Sequence, residues 1–226
     1  MTRDRKILLV AELAVVFLAM PLLINRRVLP NWPIPFLLLV TLGAFLILRQ
    51  EPAFDGAILI RFRGVMNRIR PLLLRDGALI AVLGVAVWRM TPELLFSFVK
   101  TSPMLWAVVM VLYPVLSVYP QEFLFRAYFF RRYAPLFGGG WGMVAASALA
   151  FGFVHIIFGN WLSVGLSAIG GVLFALTYQQ SGSLVLTCIE HALFGDFIFT
   201  IGIGQFFFHR SAAVADFADP SSQNPT

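Results

Sequence analysis

Residues 103–133 read PMLWAVVMVLYPVLSVYPQEFLFRAYFFRRY, and this stretch decides the fold. From Met104 to Val118 it holds no charged side chain and shows no alternation of apolar and polar residues. A continuous run of this kind is a bilayer-spanning helix, because a barrel strand would alternate with period two. Yet Glu122 and Arg126 follow within the same run. A charge near the bilayer centre costs about 3 kcal/mol on insertion scales, so it needs a partner and marks a functional candidate. Pro114 and Pro120 predict a kinked or broken helix just before Glu122. Such a break is tolerated at membrane depth where it lines a cavity or is buried in protein.

The rest of the chain has the same character. Of 226 residues, 59% are hydrophobic and 12% charged, with a mean hydropathy of +0.85. A soluble domain carries about 45–50% apolar and about 25% charged residues. The fold class is therefore all-α, a polytopic transmembrane helical bundle. Spans are expected at about 7–25, 32–48, 72–90, 103–119 continuing to 133, 143–158, 162–178 and 184–208. This makes seven spans; eight is the alternative, since the last segment is long and contains Gly195, Gly202 and Gly204. The first run, Ile7 to Ile24, is longer than the apolar core of a secretory signal and is read as a retained helix. The organisation expected is 1–100 for the N-terminal helices with a basic cytoplasmic or interfacial segment, 101–208 for an intramembrane domain, and 209–226 for a disordered tail.

The net charge of +6 does not indicate a nucleic-acid partner, because the arginines sit between apolar runs where topology accounts for them. Arg3, Arg5 and Lys6 flank the first span. Arg49, Arg61, Arg63, Arg68, Arg70 and Arg75 crowd the link between the second and third, and Arg131 and Arg132 follow the fourth. The alternate connections carry only Arg26 and Arg27, then Lys100. The N-terminus is thus expected in the cytoplasm, in a bacterial inner membrane. Residues 56–70 mix apolar residues with arginines and read equally as an interfacial amphipathic helix or as a basic loop. The single cysteine, Cys188, forms no intramolecular disulfide and reads as a small packing residue.

Two further spans carry ionisable residues: Phe151-Gly152-Phe153-Val154-His155 and Glu190-His191-Ala192-Leu193-Phe194-Gly195-Asp196. Taken singly, each has a structural explanation. Glu122 and Arg126 share one helix face and can form a purely structural ion pair. A buried neutral histidine is most often a satisfied interhelical hydrogen bond. Together they are the equipment for hydrolysis without a covalent intermediate, since a carboxylate and a histidine can deprotonate a shared water while another polar group holds the oxyanion. No serine stands beside the cluster as a nucleophile.

The three motifs, in order and spacing, resemble those of the CAAX-protease and bacteriocin-processing (CPBP, or Abi) family of intramembrane endopeptidases, relatives of the Ras-converting enzyme. The family pattern is Glu-Glu-x-x-x-Arg, Phe-x-x-x-His and His-x-x-x-Asn. Here the matching stretches are Gln121-Glu122-x-x-x-Arg126, Phe151-x-x-x-His155 and His191-x-x-x-Gly195, within roughly 103–200. The resemblance implies an all-helical site opening toward the cytoplasm, in which the first glutamate and the Phe-x-x-x-His histidine activate water while the last histidine and asparagine hold the oxyanion. This chain departs twice, with Gln121 for the first glutamate and Gly195 for the asparagine; an amide is no general base. Asp196 follows, rotated away from His191 unless a π-bulge returns it, and Asn160 is another amide donor.

Three outcomes are open. Glu122 takes over as base, which is the preferred reading; Glu190 or Asp196 supplies the carboxylate; or the pocket only binds. The expected roles are Glu122 and His155 for water activation, His191 for the oxyanion and Arg126 for orienting Glu122, with Gln121 and Asp196 as further candidates. No cofactor is expected; a Zn²⁺ held by the two histidines and a carboxylate is a minority alternative. The expected partners are the bilayer and a membrane-associated protein or peptide substrate. The competing classes are a non-proteolytic scaffold of the same fold and a small proton-coupled carrier.

Overall fold

The protein is described by a computed structural model covering residues 2–51, 54–62 and 65–207. The tail 209–226, expected to be disordered, lies outside the described residues, as does Phe208 at the end of the last expected span. Within the described residues all regular structure is helical. Six helices are long and apolar enough to cross a membrane: α1 (Arg3–Asn25), α3 (Val65–Met90), α4 (Pro103–Arg132), α5 (Trp141–Phe158), α6 (Trp161–Ser181) and α7 (Leu184–Ile201). A seventh apolar helix, α2 (Pro33–Arg49), is shorter. Side chains such as Val82 (69% exposed), Val111 (70%) and Ile169 (64%) point outward from the bundle. An apolar exterior of this kind suits hydrocarbon, not water.

Local sequence explains the helix ends. Pro33 and Pro103 stand in the first turns of α2 and α4, where the missing N–H is not needed. The Asn160 side chain accepts from Ser163 N at 2.8 Å and starts α6, and Ser183 does the same for α7 through Leu186 N at 3.2 Å. Helix α7 stops at Gly202, whose φ of +101 favours glycine. A side chain there would also collide with the Leu94 carbonyl. A 3₁₀ turn (Ile203–Phe207) follows in place of further span, so no eighth crossing exists among the described residues.

Two expectations change. Residues 56–70 are neither one amphipathic helix nor one loop. Gly56–Ile60 forms a 3₁₀ turn, and α3 already begins at Val65, running through Pro71. Of the kink or break expected before Glu122, a break is absent; α4 is continuous, with wide π-helical turns at Pro114–Val118 and Phe123–Tyr128. The turn Val15–Ala19 in α1 precedes Pro21 at the same offset as Pro114–Val118 precedes Pro120. Widening the turn ahead of a proline relieves its clash with the carbonyl four residues back without breaking the helix.

Helices α5 and α6 approach each other through small residues. A Cβ on Gly152 would sit 2.6 Å from that of Ala168, and one on Gly171 would sit 3.0 Å from the Ala148 Cα. Small residues allow such contact where lipid supplies no hydrophobic drive. The bundle core is aromatic: Phe17, Phe125, Phe129, Tyr133, Phe151 and Phe174 are buried, with edge-to-face pairs such as Phe125–Phe151 at 5.0 Å. Helix α7 packs on α3, α4 and α6, which places its polar residues at the bundle centre.

Candidate functional site

The π-helical turn at Phe123–Tyr128 buries every residue in it, Arg126 included. The pair spaced four apart forms: Arg126 Nε lies 3.1 Å from Glu122 Oε2, both side chains fully buried. Neither atom makes an aligned hydrogen bond there, so the contact is one of charge. The guanidinium is held by other partners as well. It donates to Ser147 Oγ (2.6 Å), Phe125 O (3.2 Å) and Gly171 O (3.4 Å), and it lies over the Phe151 ring at 5.3 Å. Ser147 in turn donates to Phe125 O. A serine with no evident catalytic neighbour is thus Arg126's anchor.

The other carboxylate oxygen, Glu122 Oε1, accepts from His191 Nδ1 at 2.8 Å. This alters the expected geometry. The carboxylate does not face a shared water directly with His155; it stands behind the His191 imidazole. The ring is stacked on Phe174 at 4.6 Å and touched edge-on by Phe151 at 5.4 Å. At its far nitrogen, Nε2, stands the hydroxyl of Tyr113, 3.1 Å away. Because the carboxylate accepts at Nδ1, a neutral His191 keeps Nε2 as an acceptor, and the Tyr113 O–H donates to it.

His155 begins the 3₁₀ turn that ends α5. Its Nδ1 donates to Phe151 O at 2.7 Å, and the Phe151 ring covers it at 4.9 Å. The donor role of Nδ1 leaves Nε2 as a bare acceptor, and that atom has no hydrogen-bond partner among the described residues. Both histidines line an apolar cavity of about 760 Å³ together with Tyr113, Gln121, Phe151 and Gly195. Glu122 and Arg126 are not on its wall. Part of its lining (Val82, Leu112, Leu116, Ile169) is also exposed on the outer face of the bundle, so the mouth opens sideways between helices.

The remaining candidates are placed as follows. Gln121 lines the cavity and donates to Ser117 Oγ at 2.7 Å. Glu190 is paired with Arg75, which also holds Asp76 at 2.8 Å. That carboxylate is therefore occupied by an arginine read from sequence as a topology charge. Helix α7 is regular through Gly195 and Asp196, without the π-bulge that would turn Asp196 back toward His191. Asn160 is no free donor: its amide nitrogen is given to Phe206 O at 2.7 Å and its oxygen caps α6. Among the described residues no group of three or more His, Cys, Asp or Glu side chains is arranged to hold a metal ion.

The basic ends of the helices meet on one side. Arg131 pairs with Glu51 at 2.7 Å, and Ser183 donates to Arg61 O. The cavity lies in the other half, lined by Ile24, Asn31, Pro33 and Phe158 among others. An opening toward the cytoplasm and a cytoplasmic arginine end therefore place the cytoplasm on opposite sides of this bundle.

Sequence reasoning missed Tyr113, Ser147 and Glu12. Glu12, in α1, binds Arg132 at 2.6 Å and accepts from Tyr128 and Tyr133, fastening α1 to the end of α4. The one available signal for Tyr113 was Gly195: a gap on the face of His191 needs something large to fill it.

The fold and the cluster define a multi-pass membrane protein with a buried Glu–Arg–His network set behind a lipid-accessible cavity. Residues 101–195 match the family model described as Rce1-like, type II CAAX prenyl endopeptidase Rce1-like, which supports the resemblance of this part of the chain to the CAAX-protease family. No curated protein and no solved structure gives a match.

Proposed function

We propose that the protein is an intramembrane endopeptidase that hydrolyses a membrane-associated peptide by water activation, without a covalent intermediate. The observation that carries this is His155, which lines the cavity with its Nδ1 locked as donor on Phe151 O, so that its Nε2 is left as the acceptor. Water bound there gives its proton to Nε2 as its oxygen adds to the scissile carbonyl carbon, and the carbonyl π pair moves to oxygen. Collapse of the intermediate breaks the C–N bond, and the proton on His155 passes to the leaving nitrogen. Glu122 acts through His191, fixing the tautomer and orientation of that ring through its Nδ1, and Arg126 fixes Glu122. Gln121 and Asp196 stay outside these steps.

The cavity is apolar and large enough for an aliphatic chain or an extended apolar peptide. Together with the family description, this favours a peptide carrying a lipid as substrate. In this reading the membrane is a bacterial inner membrane; the arginine pattern supports a cytoplasmic N-terminus, with the cavity in the opposite half of the bilayer. The proposal calls for no cofactor.

The test is purified protein in proteoliposomes, offered a library of lipidated and plain membrane peptides, with wild type compared to His155→Ala. Cleavage is expected to fall by about 10²–10⁴-fold, the usual worth of a positioned base. Equal cleavage by both proteins refutes the mechanism. Binding that needs His155, with no cleavage by wild type, favours the scaffold instead.

A further inference from the structure

Gly195 and Tyr113 form one unit. Gly195 lies four residues beyond His191, on the same face of α7, where a side chain would reach the site. A Cβ built at that position would overlap the ring and hydroxyl of Tyr113. The phenol enters α7's surface only because this position carries no side chain. It is then held edge-on by Phe199 at 5.1 Å and by His191 at 6.1 Å, and its hydroxyl is 3.1 Å from His191 Nε2. Tyr113 also lines the cavity beside both histidines.

The donors of the motif residues themselves are engaged elsewhere. His191 gives its Nδ1–H to Glu122, His155 gives its Nδ1–H to a backbone carbonyl, Arg126 lies behind the wall, and the Gln121 amide is turned to Ser117. A carbonyl that becomes an oxyanion needs a donor within about 3 Å. Ser117 and Ser167 also line the cavity, but among the described residues only the Tyr113 hydroxyl is hydrogen-bonded to the ring of one of the two histidines.

We propose that Tyr113, admitted by Gly195, is the site's hydrogen-bond donor: it holds His191 Nε2 in the resting protein and the substrate's carbonyl oxygen during hydrolysis. No proton leaves the phenol. Its O–H turns from one acceptor to another as the carbonyl π pair moves onto oxygen. In this role Tyr113 touches the reacting atoms and is a catalytic residue, while Gly195 is the space that positions it. The catalytic half of this inference rests on the endopeptidase reading; the pairing with His191 does not.

The experiment combines three variants with two readouts. Tyr113→Phe keeps the ring and removes the hydroxyl; it should lower kcat by about 10²–10³-fold, the effect of losing one oxyanion donor, with KM within about twofold. Gly195→Ala should push the phenol aside and produce a similar loss. The double variant Tyr113→Ala with Gly195→Asn removes the phenol and offers an amide from α7; it should recover at least tenfold over Tyr113→Ala alone. The second readout is the imidazole ¹⁵N spectrum of histidine-labelled protein, which contains only His155, His191 and His209. Tyr113→Phe should shift the His191 Nε2 resonance and leave that of His155 in place. If wild type shows no cleavage dependent on His155, the endopeptidase reading fails alone, and the ¹⁵N shift decides the Tyr113–His191 pairing. A Tyr113→Phe protein with unchanged kcat, or with an unchanged His191 resonance, overturns the proposal, as does a double variant no better than Tyr113→Ala.

Discussion

Arg126→Met should separate the stability of this protein from its chemistry. Methionine keeps much of the arginine's length and removes the charge. Four polar contacts disappear: Glu122 Oε2 at 3.1 Å, Ser147 Oγ at 2.6 Å, Phe125 O at 3.2 Å and Gly171 O at 3.4 Å. The principal cost is that Glu122, with no exposed surface, loses its counter-charge. Breaking a buried pair from one side costs about 3–5 kcal/mol, which shifts the folding equilibrium by roughly two to three and a half powers of ten. Removing the second charge as well should reverse much of this, because apolar replacement of a whole buried pair is neutral or stabilising by about 1–4 kcal/mol. In Glu122→Leu/Arg126→Met, however, His191 Nδ1 and Ser147 lose partners, at about 1–3 kcal/mol each. The double variant should therefore fall between Arg126→Met and wild type in stability, while both variants are inactive. Unfolding by SDS titration from mixed micelles, followed by tryptophan fluorescence, gives the order. If Arg126→Met is as stable as wild type, or the double variant is the least stable of the three, the ion pair does not hold this core.

Two further outcomes test the cavity and the orientation. Ala86→Trp narrows the cavity at a half-exposed position on α3, a helix that carries none of the three motifs; it should raise KM several-fold with kcat unchanged, and an unchanged KM would show that substrate sits elsewhere. In a Cys188→Ser background, Thr101→Cys should react with an impermeant maleimide in intact cells and Arg5→Cys only after lysis; the reverse pattern inverts the topology.

Much of this was legible in the chain because membrane helices announce themselves. Continuous apolar runs located the seven helices, and the spacing of four joined Glu122 to Arg126 and Phe151 to His155. Spacing within a helix says nothing about which helix faces which. That is why Glu122 was expected beside His155 when its partner is His191. Arg75 looked like one more charge in a basic link, since its neighbours are arginines and α3 was expected to begin near 72; starting at Val65, the helix carries Arg75 inward to Glu190. Tyr113 was hidden for a different reason: an aromatic residue in a phenylalanine-rich span reads as packing, and its hydroxyl matters only through a glycine on another helix.

The sideways mouth of the cavity has a kinetic consequence. A substrate that enters between α3, α4 and α6 arrives by diffusion in two dimensions, already dissolved in the lipid. Its effective concentration is its mole fraction in the bilayer, not its molarity in the suspension. Reconstitution with more lipid at constant protein and substrate should then slow turnover, whereas dilution of the vesicles with buffer should not. If the proposed endopeptidase reading holds, the affinity needed for the substrate is correspondingly weak, because partitioning has already done most of the gathering.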